Sequence, residues 1–324
     1  MAQIKKTDAR LRQIKERQWE PRWGRHYLAA TRADAREAPG ISTGNILRPM
    51  KFDEREFHTL SEPEEFLALL ALHNPDCWEL HEQFVMFPKS REHPLQGHFA
   101  ARGLQFKPFR GTLDVVERMG YSNHPRVRLR LGPDPTKWPM APYPFTGDLR
   151  LFMKDELGVY CVNWPVKNKY ADFRQKGPRS KPRPLDDLED LAAIARQQVE
   201  AVYHSDAEIR TQPVSKDLLN LDLRLNLRNV FLDDSNPIPL DSDKRRDAVS
   251  RVSEFVGQDV PMFIVAKRIS NEFSFDQQDA VSLIHQAIWR RELRVDLFRP
   301  VITTNPLHLE VTDVFLQYAD WFRR

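Results

Sequence analysis

No apolar run in the 324 residues approaches the roughly 18 to 20 that span a bilayer, and the opening Met-Ala-Gln-Ile-Lys-Lys lacks the apolar core of a secretory signal. The expectation is a soluble, cytoplasmic protein with no membrane partner. Cysteine is scarce. Cys77 and Cys161 form no Cys-x-x-Cys pair, so zinc-ribbon and dithiol chemistry have no foothold and a reduced compartment fits best. The ten histidines show no metal-ligand spacing, and His73, His81 and His124 read as surface or hydrogen-bonded core residues. No internal repeat is visible. Charge of one sign does not dominate either, since the formal net charge is only +3.

What is present is a chain long enough for more than one core, 41% hydrophobic and 29% charged, with its basic residues unevenly placed. Residues 1–36 carry ten Lys or Arg against four acids, and residues 174–183 carry five Lys or Arg and no acid. Either stretch reads as solvated surface or as a mobile partner of a phosphate backbone, where cationic side chains gain affinity by releasing counterions.

Ser61 followed by Glu64 has capping-box spacing and predicts a helix over 62–72, with Pro63 in its first turn and Phe66, Leu67, Leu69, Leu70 and Leu72 facing inward. The run "CWELHEQFVMF" reads as a strand, followed by an irregular stretch to about Gly120. "RVRLRL" then alternates Val127, Leu129 and Leu131 with Arg126, Arg128 and Arg130. It reads as an edge strand protected by charge, or as a strand facing DNA. Leu149, Leu151 and Met153 predict a half-buried strand, with a turn over 154–158 and a partner strand through Val159, Cys161 and Val162. A helix from 185 and a strand at "EIRTQPVS" complete an α/β core near residue 219. Beyond it, a helix ending near Arg291 and strands over 293–298 and 307–311 read as the close of a winged-helix-like domain, 220–324.

Hydrolysing a phosphodiester requires an in-line water, charge neutralisation on the phosphate and help for the leaving oxygen; carboxylates holding Mg²⁺ together with one lysine supply all three. Glu64 on the first helix, Asp148 on a strand and Lys167 at the end of the next strand follow the PD-(D/E)XK nuclease plan. Nineteen residues separate Asp148 from Lys167, a distance that a tight hairpin brings to one sheet edge. Each also has a plainer reading: Glu64 as a capping acid, Asp148 as a turn residue after Gly147, Lys167 as a solvated strand end beside Lys169. Glu82 and Gln83 read as supporting residues, Trp78 and Trp164 as core.

The run "FHTLSEPEEFLALLALHNPDCWELHEQFVMFP" resembles the N-terminal signature of TnsA-type endonucleases, in which an "LS-x-x-E" helix leads to a "D/E-x-x-EQ-x-P-L" strand. The matching residues are Leu60, Ser61 and Glu64, then Glu79, Glu82, Gln83 and Pro88. "ATRADAREAPGISTGNILR" is similar to the family's preceding segment, and Gly120 with His124-Pro125 to its "G-x-x-HP". Asp148-Leu149 and Val166-Lys167 are similar to its "T-D-F-L" and "V-K" strands, so the likeness covers about residues 20–230. Where a nuclease of this plan offers a carboxylate or amide two residues before the lysine, this chain has Pro165, which has no side-chain ligand.

The resemblance implies a restriction-endonuclease-like mixed sheet flanked by helices over 1–219, with a winged-helix-like domain over 220–324. It implies a Mg²⁺-dependent endonuclease subunit of a heteromeric transposase that cuts the 5′ strands at transposon ends, with Mn²⁺ able to substitute. Glu64, Asp148 and the Val166 carbonyl would hold the metal, Asn163 helping, and Lys167 would orient water. Double-stranded DNA, a DDE-type transposase subunit and an AAA+ regulator would be its partners. A non-catalytic DNA-binding assembly subunit and a stand-alone defence or repair nuclease remain the alternatives.

Overall fold

The computed structural model describes residues 6–34, 36–38, 43–121, 123–131, 134–174 and 190–324. Most of the basic stretch at 174–183 and the first turns expected from 185 lie outside them. Helix α1 (Asp8–Gln18) starts at Thr7, whose Oγ1 accepts the Arg10 N–H at 3.1 Å. It buries Leu11 and Ile14, and it also buries Arg10 and Arg17. Both arginines pair with Glu37, at 2.9 and 2.6 Å, and Arg10 donates to Ala30 O at 2.7 Å. The expectation of a solvated or DNA-facing arm is therefore corrected for these two residues. A buried guanidinium must have a partner, and Glu37 supplies it from inside the chain.

Short strands β1 (Asn45–Leu47) and β2 (Phe57–Thr59) pair antiparallel. Helix α2 (Glu62–His73) follows, starting where Ser61 and Glu64 place it. Its Leu67, Leu69 and Leu70 are wholly buried, and each contributes about 1.5–3 kcal/mol by leaving water. Strand β3 (Cys77–Met86) is next. The stretch to Gly120, read as irregular, contains helix α3 (Thr112–Arg118). Gly111 enters it at φ +101°, and a Cβ there would lie 2.5 Å from the Lys89 carbonyl carbon, so glycine is required.

Strand β4 (Arg126–Arg128) pairs with β5 (Met140–Pro142), shorter than the six-residue strand expected but with the expected alternation of exposed Arg126 and Arg128 about buried Val127. Strands β6 (Phe145–Asp155), β7 (Gly158–Trp164) and β8 (Val166–Lys167) follow the predicted hairpin. Helix α4 (Leu191–Ser205) then leads to β9 (Arg210–Thr211) and β10 (Val214–Ser215). Its inward face is Val199, Glu200, Tyr203 and His204, whereas Leu191 at its start is 75% exposed.

The central sheet runs β3-β6-β7-β9, antiparallel except for the parallel pair β7/β9; β8 and β10 continue that pair beyond Pro165. One face, with Leu80, Leu149, Leu151, Val162 and Trp164, packs with α2 in the main apolar cluster. The other, with Phe84, Phe152 and Cys161, meets Val115 of α3 and Val199 and Tyr203 of α4. Helices on both faces of a mixed sheet make an α/β protein.

Helices α5 (Leu221–Phe231), α6 (Ser242–Ser253), α7 (Met262–Phe273) and α8 (Gln277–Trp289) follow. Their apolar residues belong to the cluster that holds α2, and Arg228 of α5 forks onto Glu65 of α2 at 2.8 and 3.0 Å. The hairpin expected over 293–311 is reduced to one antiparallel bridge, Val295 to Leu309. The first expected strand ends early in a turn, in which Asp296 Oδ1 accepts the Phe298 N–H at 3.0 Å, and Asn226 of α5 holds that turn through the carbonyls of Leu297 and Arg299 and the N–H of Val301. Short helices α9 (Val314–Gln317) and α10 (Ala319–Phe322) return the chain to the sheet, where Trp164 Nε1 donates to Trp321 O at 2.8 Å. Among the described residues, no helix is long and apolar enough to cross a membrane.

Candidate active site

Three elements bring Glu64, Asp148 and Lys167 to one edge of the sheet. Glu64 occupies the third position of α2, and its carboxylate accepts the Leu60 N–H at 2.8 Å and the Ser61 hydroxyl at 2.9 Å. It does cap the helix, as the plainer reading holds, and it also faces the site. Gln83 Nε2 donates to it at 3.1 Å. Gln83 lies between the pairs Glu82↔Leu149 and Phe84↔Gly147, hence opposite Asp148, and its left-handed φ of +45° releases its carbonyl from the ladder to the Ala30 N–H, at 2.9 Å.

Asp148 lies inside β6 rather than in a turn. Gly147 before it is a packing requirement, because a Cβ there would come within 2.1 Å of the Phe84 ring. Asp148 Oδ2 accepts the Val166 N–H at 2.8 Å. Pro165, with no N–H to give, ends the β6/β7 ladder at the pair Leu149↔Trp164, and its carbonyl accepts from Val214 at 3.0 Å. With Pro165 serving β10, the N–H and carbonyl of Val166 turn to the opposite side, toward Asp148. Lys167, one residue on, is half-buried beside Phe173 and has no ion-pair partner among the described residues.

The electrostatics bind these groups into one unit. Burial first, then the charge of Asp148, raises the pKa of Glu64 well above the carboxylate range, with Leu60, Ser61 and Lys167 opposing. Sequence reasoning missed a fourth member. Glu200 of α4 is 3% exposed and accepts Asn163 Nδ2 and Arg196 Nη1, both at 3.0 Å. Burial raises its pKa, Arg196 lowers it, and Asp148 raises it further. The signal was an acid one turn ahead of His204 on the stripe that also carries Val199 and Tyr203, where an apolar residue is the norm.

Asn163, expected to help at the metal, donates its amide NH₂ to Glu200 and Thr211, which leaves Oδ1, the atom that would ligate a cation, buried without a hydrogen-bond partner among the described residues. Glu82 is structural. It accepts Arg55 at 3.2 Å and the His58 N–H at 3.2 Å, and burial lifts its pKa to about 7. Trp164 is core, and Trp78 donates to Met153 O at 3.2 Å. His73 bonds Trp289 O at 2.9 Å and His124 meets the Thr112 hydroxyl at 2.8 Å.

The candidate ligands at this edge are oxygen atoms, which suits a hard divalent cation. Among the described residues, no three His, Cys, Asp or Glu side chains converge as a ready-made cage. A cation here would take Glu64, Asp148 and the Val166 carbonyl, and complete its shell with water, as Mg²⁺ commonly does. The sequence matches no protein-family model and no curated protein.

Proposed function

We propose that this chain is a metal-dependent DNA endonuclease, the subunit of a heteromeric transposase that cuts the 5′ strands at transposon ends. The observation that carries the reading is the meeting of Glu64 from a helix start, Asp148 from a strand and Lys167 from the end of the next strand, with Asp148 locked to Val166 at 2.8 Å. The order of elements, with α2 on one face of the sheet and α4 on the other, supports a restriction-endonuclease-like domain. The helices after residue 220 are what the proposal reads as winged-helix-like, with the wing reduced to the Val295–Leu309 bridge.

When bound, Mg²⁺ supplies positive charge at the scissile phosphate. The chain does the rest. Glu64 and Asp148 hold the donor set in place, and Glu200 anchors Asn163 behind them. Lys167, without an ion-pair partner among the described residues, donates to a non-bridging phosphate oxygen and orients the attacking water. Water adds to phosphorus and gives up a proton to solvent, the bond to the leaving oxygen breaks, and that oxygen takes a proton from solvent in exchange. Exposed Arg126, Arg128 and Arg130 hold the backbone without reading bases.

Pro165 favours a second reading, an assembly subunit that binds DNA without cutting it. Mapping the cut strands on a labelled transposon end with Mg²⁺ and the DDE-type partner separates the two. The nuclease reading expects 5′ cuts in the wild type and only 3′ cuts with Asp148→Ala or Lys167→Ala; 5′ cutting that survives both substitutions overturns it.

A further inference from the structure

Arg150 carries a buried charge that no acid of the described residues meets in direct contact, Glu200 acting on it only from a distance. It is 5% exposed, and no carboxylate of the described residues lies within ion-pair distance of it. Its guanidinium lies 3.9 Å from the centroid of the Phe84 ring, and Nη2 meets His204 Nε2 at 3.3 Å. His204 Nδ1 is engaged by the Glu200 carbonyl at 2.8 Å, so Nε2 offers Arg150 only a lone pair. Arg150 Nε is buried with no partner among the described residues. Arginine cannot shed its proton to escape burial, so an unanswered guanidinium is costly unless something else supplies the anion.

The neighbouring strand repeats the pattern. His81 stands opposite Arg150 in the β3/β6 register. It is buried, Tyr27 stacks on its ring at 3.8 Å, and its Nε2 makes no hydrogen bond among the described residues, the nearest acid being Glu79 Oε1 at 3.6 Å. Arg150 and His81 line one cavity of about 610 Å³, walled by Trp23, Tyr27, Phe84 and Phe109. That volume suits a compact organic ligand. The two acids of the lining, Glu20 and Glu92, are exposed, whereas Arg150 and His81 are buried, and Arg17, Arg22 and Arg91 add further positive charge to the walls.

We propose that this cavity binds a nucleotide unit, its phosphate taken by Arg150 and His81 and its ring by the aromatic walls. A guanidinium fork and an imidazole N–H approaching from different strands match the several oxygens of a phosphate better than the two of a carboxylate. Two sources share that chemistry, a free nucleotide and a nucleotide of a DNA strand. Arg150 lies two residues from Asp148 on the same face of β6, about 7 Å along the strand, so the cavity adjoins the candidate active site without including it.

The test uses the full-length protein in chelator-containing buffer, titrated with deoxyadenosine 5′-monophosphate, deoxyadenosine and a 5′-phosphorylated trideoxynucleotide by calorimetry and thermal melting. The monophosphate or the trinucleotide is expected to bind and raise Tm while deoxyadenosine does not. Arg150→Met should weaken that binding about tenfold or more and leave the ligand-free Tm unchanged or higher, because the charge removed was unpaired. Asp148→Ala should bind as the wild type does, which keeps this result separate from the nuclease reading. Binding of the monophosphate identifies a free nucleotide, and binding of the trinucleotide alone identifies a DNA strand. The proposal is overturned if neither phosphorylated ligand binds the wild type, if Arg150→Met binds equally well, or if that variant's ligand-free Tm falls. Trp23→Leu supplies a second check at the wall, with weaker monophosphate binding expected and unchanged binding counting against the ring site.

Discussion

Asp148 and Val166 meet across the break that Pro165 makes in the sheet, carboxylate oxygen to backbone N–H at 2.8 Å. The contact fixes where the one carboxylate shared by Glu64 and Glu200 must sit. It also allows charge to be separated from shape. Asp148→Asn keeps an oxygen to accept the Val166 N–H and removes the charge that burdens both glutamates. Its Tm should equal or exceed that of the wild type while cleavage falls about 10²-fold or more. Melting curves and strand mapping on one preparation check both halves; a large loss of stability would mean that Asp148 serves the fold.

Glu200→Gln should behave differently. Glutamine can still accept the Asn163 amide, so α4 stays docked, but the negative charge behind Asp148 is gone. Mg²⁺ affinity should fall about 10- to 100-fold, as when an outer partner of a metal ligand is removed. Calorimetric titration with Mg²⁺ measures it, and unchanged affinity would reduce Glu200 to a partner of Asn163.

Gly147→Ala should destabilise the protein by about 1–3 kcal/mol through overpacking, since the new methyl meets the Phe84 ring at 2.1 Å. Urea unfolding gives the loss. Adding Phe84→Leu should return part of it, and strict additivity of the two substitutions would deny the contact.

Glu37 sets an acid limit for α1. Burial acts to raise its pKa, but Arg17, the Arg32 N–H and Arg10 outweigh burial and hold it at about 2, below the ordinary 4.5. A depressed carboxyl stabilises the fold above its unfolded value and loses that contribution as pH falls toward its folded value. The Tm difference between wild type and Glu37→Gln should therefore hold steady above about pH 5 and shrink toward zero near pH 2. A constant difference across that window would show that Glu37 acts through shape rather than charge.

The sequence by itself determined the local elements that carry a period or a cap. Ser61 and Glu64 mark the start of α2 because a helix N-terminus needs those acceptors at that spacing. Alternation through Leu149, Leu151 and Met153 identifies β6, and with β7 and Lys167 it places two of the three site residues on adjoining strands. Only the tertiary structure decided what each charged group faces. Arg10 and Arg17 look like a DNA-binding arm until Glu37 is seen to meet them. Arg150 looks like an outward strand residue until Phe84, His204 and His81 surround it. Glu200 looks like one more polar residue of α4 until Asn163 and Asp148 lie beneath it. The expected C-terminal hairpin shrinks to one bridge where Asp296 turns the chain and Asn226, some seventy residues earlier, holds the turn. Caps and alternation are set by neighbours in the chain, whereas burial and charge pairing depend on register and packing between segments that no local pattern records.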